Sequence, residues 1–225
     1  MVDGKVMSKL NILYEDNHII VVVKPYNVLS QGDSTKDSSI MDDIKSYLKV
    51  KYNKPGNVYL GLVHRLDRPV GGIMVFARSS KAASRLCKSF NEHSIVKKYL
   101  AIVKGKMEKD KGELVDYITK DSNGNASISS DGKKAVLEYE VLEYDEKDDC
   151  SLVSVDLKTG RHHQIRIQFA SRGHYLLGDQ RYGVLDNTQI SLFAYYLSFT
   201  HPVTKEIMEF KCYPKKENYW TRFTL

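Results

Sequence analysis

Apolar and polar positions alternate along the chain in short blocks, and each block predicts an element. Two apolar clusters, Ile12-Leu13-Tyr14 and the run from Ile19 to Val23, flank the turn-prone Glu15-Asp16-Asn17, so 11–24 reads as a hairpin or bent strand pair ending at Lys24-Pro25. Residues 30–38 are rich in Gly, Asp, Ser, Thr and Lys and read as an exposed loop. Ser39 followed by Asp42 resembles a helix start, and Ile40, Ile44, Tyr47 and Leu48 then recur at helical spacing. A strand is predicted over 57–64, a sharp polar turn over 65–72, and a second strand over 73–77. A helix over 80–93 follows, with Ala83, Leu86, Cys87 and Phe90 on its apolar side. Strands are expected over 99–103, at two or three places in 112–144 joined by turns at Asn123-Gly124 and Asp131-Gly132, and over 151–157. A short helix over 162–172 should stop at Gly173, and strands over 191–199 and 207–213 close the chain. The pattern is that of one α+β domain dominated by antiparallel hairpins, with no repeat or flexible linker.

The length, 225 residues, suits one domain with at most a modest extension, and a hydrophobic fraction of 42% can fill a core. The apolar runs are far shorter than the roughly 18 residues a membrane span needs, and the first residues lack a signal-peptide pattern. A cytoplasmic protein is expected. Cys87, Cys150 and Cys212 are widely spaced, which excludes a disulfide framework or zinc knuckle. A net charge of +6 with pI near 9.0 leaves nucleic-acid binding open without requiring it.

Cofactor chemistry has little to build on. The sequence holds no phosphate-binding Gly-rich loop, no G-x-S-x-G elbow, and no His spacing with carboxylates that suggests a metal. What stands out is Gly61-Leu62-Val63-His64-Arg65-Leu66-Asp67-Arg68, where a strand runs into a turn and a carboxylate is flanked by arginines. Rigid strand ends next to open loops present reactive groups well, although a surface Asp in a salt bridge is the plainer account. A second polar cluster, Lys158-Thr159-Gly160-Arg161-His162-His163-Gln164-Ile165-Arg166, opens a helix. Arg166 falls at the border of its buried face and needs a carboxylate partner, for which Asp67 is a candidate. Such a pairing would keep Asp67 ionised and oriented, as a nucleophile or base must be.

Four stretches in order resemble the RluA-type family of RNA pseudouridine synthases. They are Val23-Lys24-Pro25 with Val28; His64-Arg65-Leu66-Asp67 with Gly71-Gly72; 98–105; and Thr159-Gly160-Arg161 with His163-Gln164-Ile165-Arg166, continuing into Gly173-His174 and Leu177-Gly178-Asp179. The resemblance covers roughly 12–213. It implies a pseudouridine-synthase catalytic domain over 11–225, built on a mixed, mainly antiparallel sheet with few helices and a central RNA-binding cleft, preceded by an N-terminal extension over 1–10. It also implies the compact form without an S4-type domain, so that recognition falls to the catalytic domain.

By motif position the resemblance makes Asp67 the catalytic aspartate and Arg65 the arginine that enters the RNA helix in place of the flipped base. Tyr99 becomes the tyrosine that stacks on the uracil, Ile165 an apolar pocket residue, and Arg166 the basic residue paired with the aspartate. Each role has a physical rationale, because uracil inside a helix must be flipped out and held by stacking before its glycosidic bond can be reached. The implied reaction isomerises uridines in ribosomal or transfer RNA with no cofactor and no metal, in a monomeric protein. Two departures stand out: Arg68-Pro69-Val70 replaces the Thr or Ser usual after the aspartate, and His162 occupies a variable position. Lys81, Arg85 and Lys88, on one helix face, with Lys97 and Arg161, are candidate RNA-phosphate contacts; a solvated helix face is the plainer account of the first three. An idle RNA-binding or folding module that keeps the pocket is the second reading.

Overall fold

A computed structural model describes residues 10–35, 37–122 and 124–225. Most of the expected N-terminal extension, Lys36 of the predicted loop and Asn123 of the predicted turn lie outside them. The chain divides into two compact units, the first holding residues up to Ile95 with Leu197–Cys212, the second Val96–Tyr196 with Tyr213–Leu225.

In the first unit, β1 (Asn11–Glu15) and β2 (Ile19–Lys24) form the expected antiparallel hairpin. Its turn is fixed by Asp16, whose Oδ1 accepts the N–H groups of His18 and Ile19 at 2.7 and 2.8 Å. Ile19, Ile20, Val21 and Val22 are all fully buried, as an uninterrupted β-branched run implies for a strand covered on both faces. Helix α1 (Ile40–Lys51) starts with the capping box read from Ser39 and Asp42, an arrangement worth about 1 kcal/mol.

Strand β3 is only Gly61–Leu62 and pairs with β4 (Gly71–Ala77), much shorter than the predicted 57–64. The register explains the difference. Gly61 already faces Ala77, the last residue of β4, so residues 57–60 have no strand left to pair with. Beyond Leu62 the N–H of Val75 is taken by the His64 side chain, at Nε2, 3.0 Å away. β4 also begins two residues earlier than predicted, because Gly72 pairs with Lys24 on β2. Helix α2 (Ser80–Asn91) is capped by Ser79 and lays Ala82 and Leu86 into a core with Ile19, Val21, Ile73 and Val75. It stops short of the predicted His93, whose φ of 55° is left-handed.

The second unit is built on β5 (Val96–Lys104), β6 (Lys111–Lys120), β7 (Ala126–Ile128), β8 (Lys133–Asp145) and β9 (Cys150–Leu157), in the order β5-β9-β8-β6-β7 with each of these pairings antiparallel. Ala135, Leu137 and Tyr139 of β8 are buried while Glu138 and Glu140 are exposed, the alternation of a sheet with one wet face. Helix α3 (Gln164–Ala170) packs on β6 and β7. It is shorter than the predicted 162–172 because His163 is left-handed, φ 52°, and cannot join the helix. Strand β10 (Leu192–Thr200) has its residues through Tyr196 in the second unit and those from Leu197 in the first, where β11 (Ile207–Lys211) pairs with it. The result is an α+β fold, and no helix among the described residues is long and apolar enough to cross a membrane.

Candidate active site

In the first unit the turn carrying Asp67 is held from both sides. Ser30 Oγ donates to the carbonyl of Leu66 at 2.7 Å and accepts the Leu66 N–H at 3.1 Å, which pins the backbone just before Asp67. Lys24 Nζ, with the residue fully buried, donates to the carbonyls of Pro25, Val28 and Arg68 at 2.9, 2.6 and 3.1 Å, which pins the backbone just after it. The Asp67 carbonyl accepts the N–H of Val70 at 3.0 Å, closing the turn. Leu66 points inward, 7% exposed, while Asp67 is half-buried and Arg65 exposed. The Arg65 guanidinium donates to Gln31 Oε1 at 3.2 Å, and Arg68 pairs with Asp37 at 2.8 Å. His64 is structural, stacking on Phe90 at 4.8 Å while bonding Val75. Burial pushes Lys24 down to about 7, against the attraction of the Asp67 charge.

In the second unit Tyr99, on β5, is buried at 8% exposure. The Thr159–Arg161 turn is organised by Gln164, 3% exposed. Its Oε1 accepts from Thr159 Oγ1 at 2.8 Å and from the Arg161 N–H at 2.9 Å, while its amide donates to the Val136 carbonyl at 3.1 Å. That turn sets the start of α3, which buries Ile165 and Arg166. Arg166 donates from Nε to Asp179 Oδ2 and from Nη2 to Asp179 Oδ1, both at 2.7 Å. Asp179, from within this unit, is thus one carboxylate partner of the buried arginine, a pairing that the sequence pattern did not point to.

The chain's residues 18–171 match the family model of RNA pseudouridylate synthases. The chain belongs to the RNA pseudouridylate synthase family. It is 34% identical over 216 residues to an uncharacterized RNA pseudouridine synthase of Aquifex aeolicus, covering 90% of this chain and 68% of that protein. It is 35% identical over 208 residues to the dual-specificity RNA pseudouridine synthase RluA of Haemophilus influenzae, covering 89% and 91%. Among solved structures, human RNA pseudouridylate synthase domain containing 1 superposes with a TM-score of 0.75 at 25% identity, over 95% of this chain and 86% of that one. Membership makes the protein an isomerase of the pseudouridine synthase class, with RNA as its substrate.

Of the candidate phosphate contacts, Lys81 is exposed on α2, but Arg85 donates to the Pro202 carbonyl at 2.8 Å and Lys88 lies 3.7 Å from Glu92. Arg161 Nε donates to the Lys134 carbonyl at 2.8 Å, and Lys97 is half-buried, its pKa pushed down by burial against the opposing Asp156 charge. In this pseudouridylate synthase, Lys24, Ser30, Gln164 and Asp179 support the predicted residues without having been singled out for it. Lys24 had a readable signal, a lysine closing an apolar β-branched run directly before a proline.

Proposed function

We infer that this protein converts specific uridines of ribosomal or transfer RNA to pseudouridine, with Asp67 as the catalytic group. The observation that carries this reading is the clamped turn: Ser30 fixes the residue before Asp67 and Lys24 the carbonyl of the residue after it, while Asp67 itself is left half-buried. Rigid backbone around an accessible carboxylate is what a group that must meet one atom of a substrate requires. The reaction breaks the N1–C1′ bond of uridine and forms C5–C1′; N1 gains a proton and C5 loses one to solvent, with no net redox change. Asp67 serves it by attack at C1′ or by taking a proton from C2′. Arg65 fills the place of the flipped base, Tyr99 offers an aromatic face for stacking, Ile165 lines the pocket and Arg166 supplies a fixed positive charge.

The test incubates the purified protein with RNA carrying 5-tritiated uridine. Tritium release is expected from the wild type and none from Asp67→Asn, with RNA affinity retained by the variant. Release that persists in Asp67→Asn removes Asp67 as the catalytic group. An inactive wild type that still binds RNA favours the idle-module reading. Mapping pseudouridine in total RNA from cells with and without the protein identifies the modified site.

A further inference from the structure

Tyr182 joins three parts of the second unit through one side chain. Its hydroxyl accepts the N–H of Ala126, the first residue of β7, at 2.9 Å and lies 2.8 Å from His163 Nδ1. Its ring lies beside the Arg166 guanidinium, 5.2 Å from centroid to Cζ, and meets the His163 ring edge-on at 5.5 Å. Its backbone N–H, with that of Arg181, donates to Asp179 Oδ1, the oxygen that also receives Arg166 Nη2.

A tyrosine hydroxyl has a single proton to give. With Ala126 donating to the oxygen, the hydroxyl and His163 Nδ1 share one hydrogen bond whose direction follows the imidazole tautomer. The bond holds a residue that needs holding. His163 is left-handed, a conformation that costs a non-glycine residue about 1–2 kcal/mol, and no side chain caps α3. Ile165 and Arg166 follow it by two and three residues, so the setting of His163 is the setting of Arg166. The β6–β7 turn is tied at the same place. The Gly124 carbonyl meets His162 Nε2 at 2.9 Å and Arg181 Nη1 at 3.1 Å, and His162 stacks on His163 at 3.7 Å.

We propose that Tyr182 is a positioning residue for pseudouridine formation, holding Arg166 by its ring and the start of α3 by its hydroxyl, so that β7 and the β6–β7 turn set the orientation of the arginine. The proposal rests on the reading that Arg166 serves the reaction. Tyr182→Phe keeps the ring and removes the hydroxyl's bonds to the Ala126 N–H and to His163 Nδ1. Tyr182→Leu also takes away the aromatic face beside the guanidinium.

The test is single-turnover conversion of 5-tritiated RNA by excess enzyme, for the wild type, Tyr182→Phe, Tyr182→Leu, Arg166→Lys and the double variant Tyr182→Phe/Arg166→Lys. RNA affinity and the urea unfolding midpoint are measured beside it. Tyr182→Phe is expected to lower the rate on bound RNA about tenfold, the kinetic equivalent of one lost hydrogen bond, with Kd unchanged within twofold. Tyr182→Leu falls further, and the double variant falls by less than the product of the single effects. Wild-type rates with a lowered urea midpoint would make Tyr182 a purely structural residue and overturn the proposal. Effects of Tyr182→Phe and Arg166→Lys that multiply would do the same. A wild-type rate for Arg166→Lys marks failure of the underlying reading, which that variant alone reports. If Tyr182→Leu does not fold, Tyr182→Phe, which preserves the core volume, carries the test.

Discussion

Arg166 and Asp179 face each other as a buried fork, Nε to Oδ2 and Nη2 to Oδ1, with the arginine side chain 6% exposed and the carboxylate fully enclosed. A planar guanidinium matched to a carboxylate in this way fixes direction as well as charge. The backbone N–H groups of Arg181 and Tyr182 complete the shell around Asp179 Oδ1.

Asp179→Asn keeps the shape of that shell and removes its charge, taking from the buried guanidinium the carboxylate that receives both Nε and Nη2. The expected loss is about 3–5 kcal/mol in urea unfolding at neutral pH. The wild type carries a matching signature in acid. Burial pushes the Asp179 carboxyl up, but the Arg166 hydrogen bond and charge and the two backbone N–H groups outweigh it and hold it below the ordinary 3.8. Because the folded value is the lower one, the contribution is fully present above 3.8 and is lost as pH falls through the folded value. Stability measured from pH 5 downward should drop in the wild type by a component missing from Asp179→Asn; parallel curves would count against the charge as its source.

The residue before Asp179 offers a second test of how tightly the fork is built. Gly178 has φ 75°, and a Cβ there would lie 2.3 Å from the Gln189 carbonyl oxygen, a backbone atom that no side-chain rotation can move. Gly173 has a similar φ of 81° with nothing within 4 Å of the corresponding position. Gly173→Ala should therefore cost only the left-handed strain, about 1–2 kcal/mol. Gly178→Ala should cost distinctly more and lower the rate of pseudouridine formation by displacing Asp179. Equal losses of stability in the two variants would show that the Gln189 segment yields.

The order of strands and helices was legible because local pattern and burial agree: β2 is a β-branched run up to Lys24, β8 alternates, and Ser39 and Asp42 cap α1 as their spacing implies. Where the prediction missed, a long-range partner decided. Residues 57–60 have strand-like character but nothing opposite them, since β4 ends across from Gly61. His163 reads as helical until its contact with Tyr182, 19 residues on, is known. The motif residues, Lys24, Gln164 and Asp179 among them, were visible as types in order, whereas the contacts that make supports of them were not. Ser30 reaches Leu66 across 36 residues and Lys24 reaches Arg68 across 44, separations over which a single sequence carries no pairing signal.

Lys24 provides the sharpest electrostatic test in the first unit. Its ammonium is enclosed by three carbonyls, and burial lowers its pKa from 10.5 to about 7, while the Asp67 charge resists that fall. For a base lowered on folding, both states are protonated below about 7. Between 7 and 10.5 the unfolded chain holds a proton that the folded chain has released, so the stability due to this group rises with pH through that window. In a protein carrying 13C-labelled lysine, one Cε resonance should titrate near 7, far from the exposed lysines. Asp67→Asn removes the opposing attraction, so in that variant the same resonance should titrate lower still. A midpoint unmoved by Asp67→Asn would mean that Lys24 does not sense the carboxylate. Lys24 would then act on the Asp67 turn through the Arg68 carbonyl alone, and Lys24→Met would reduce activity only as far as it loosens that turn.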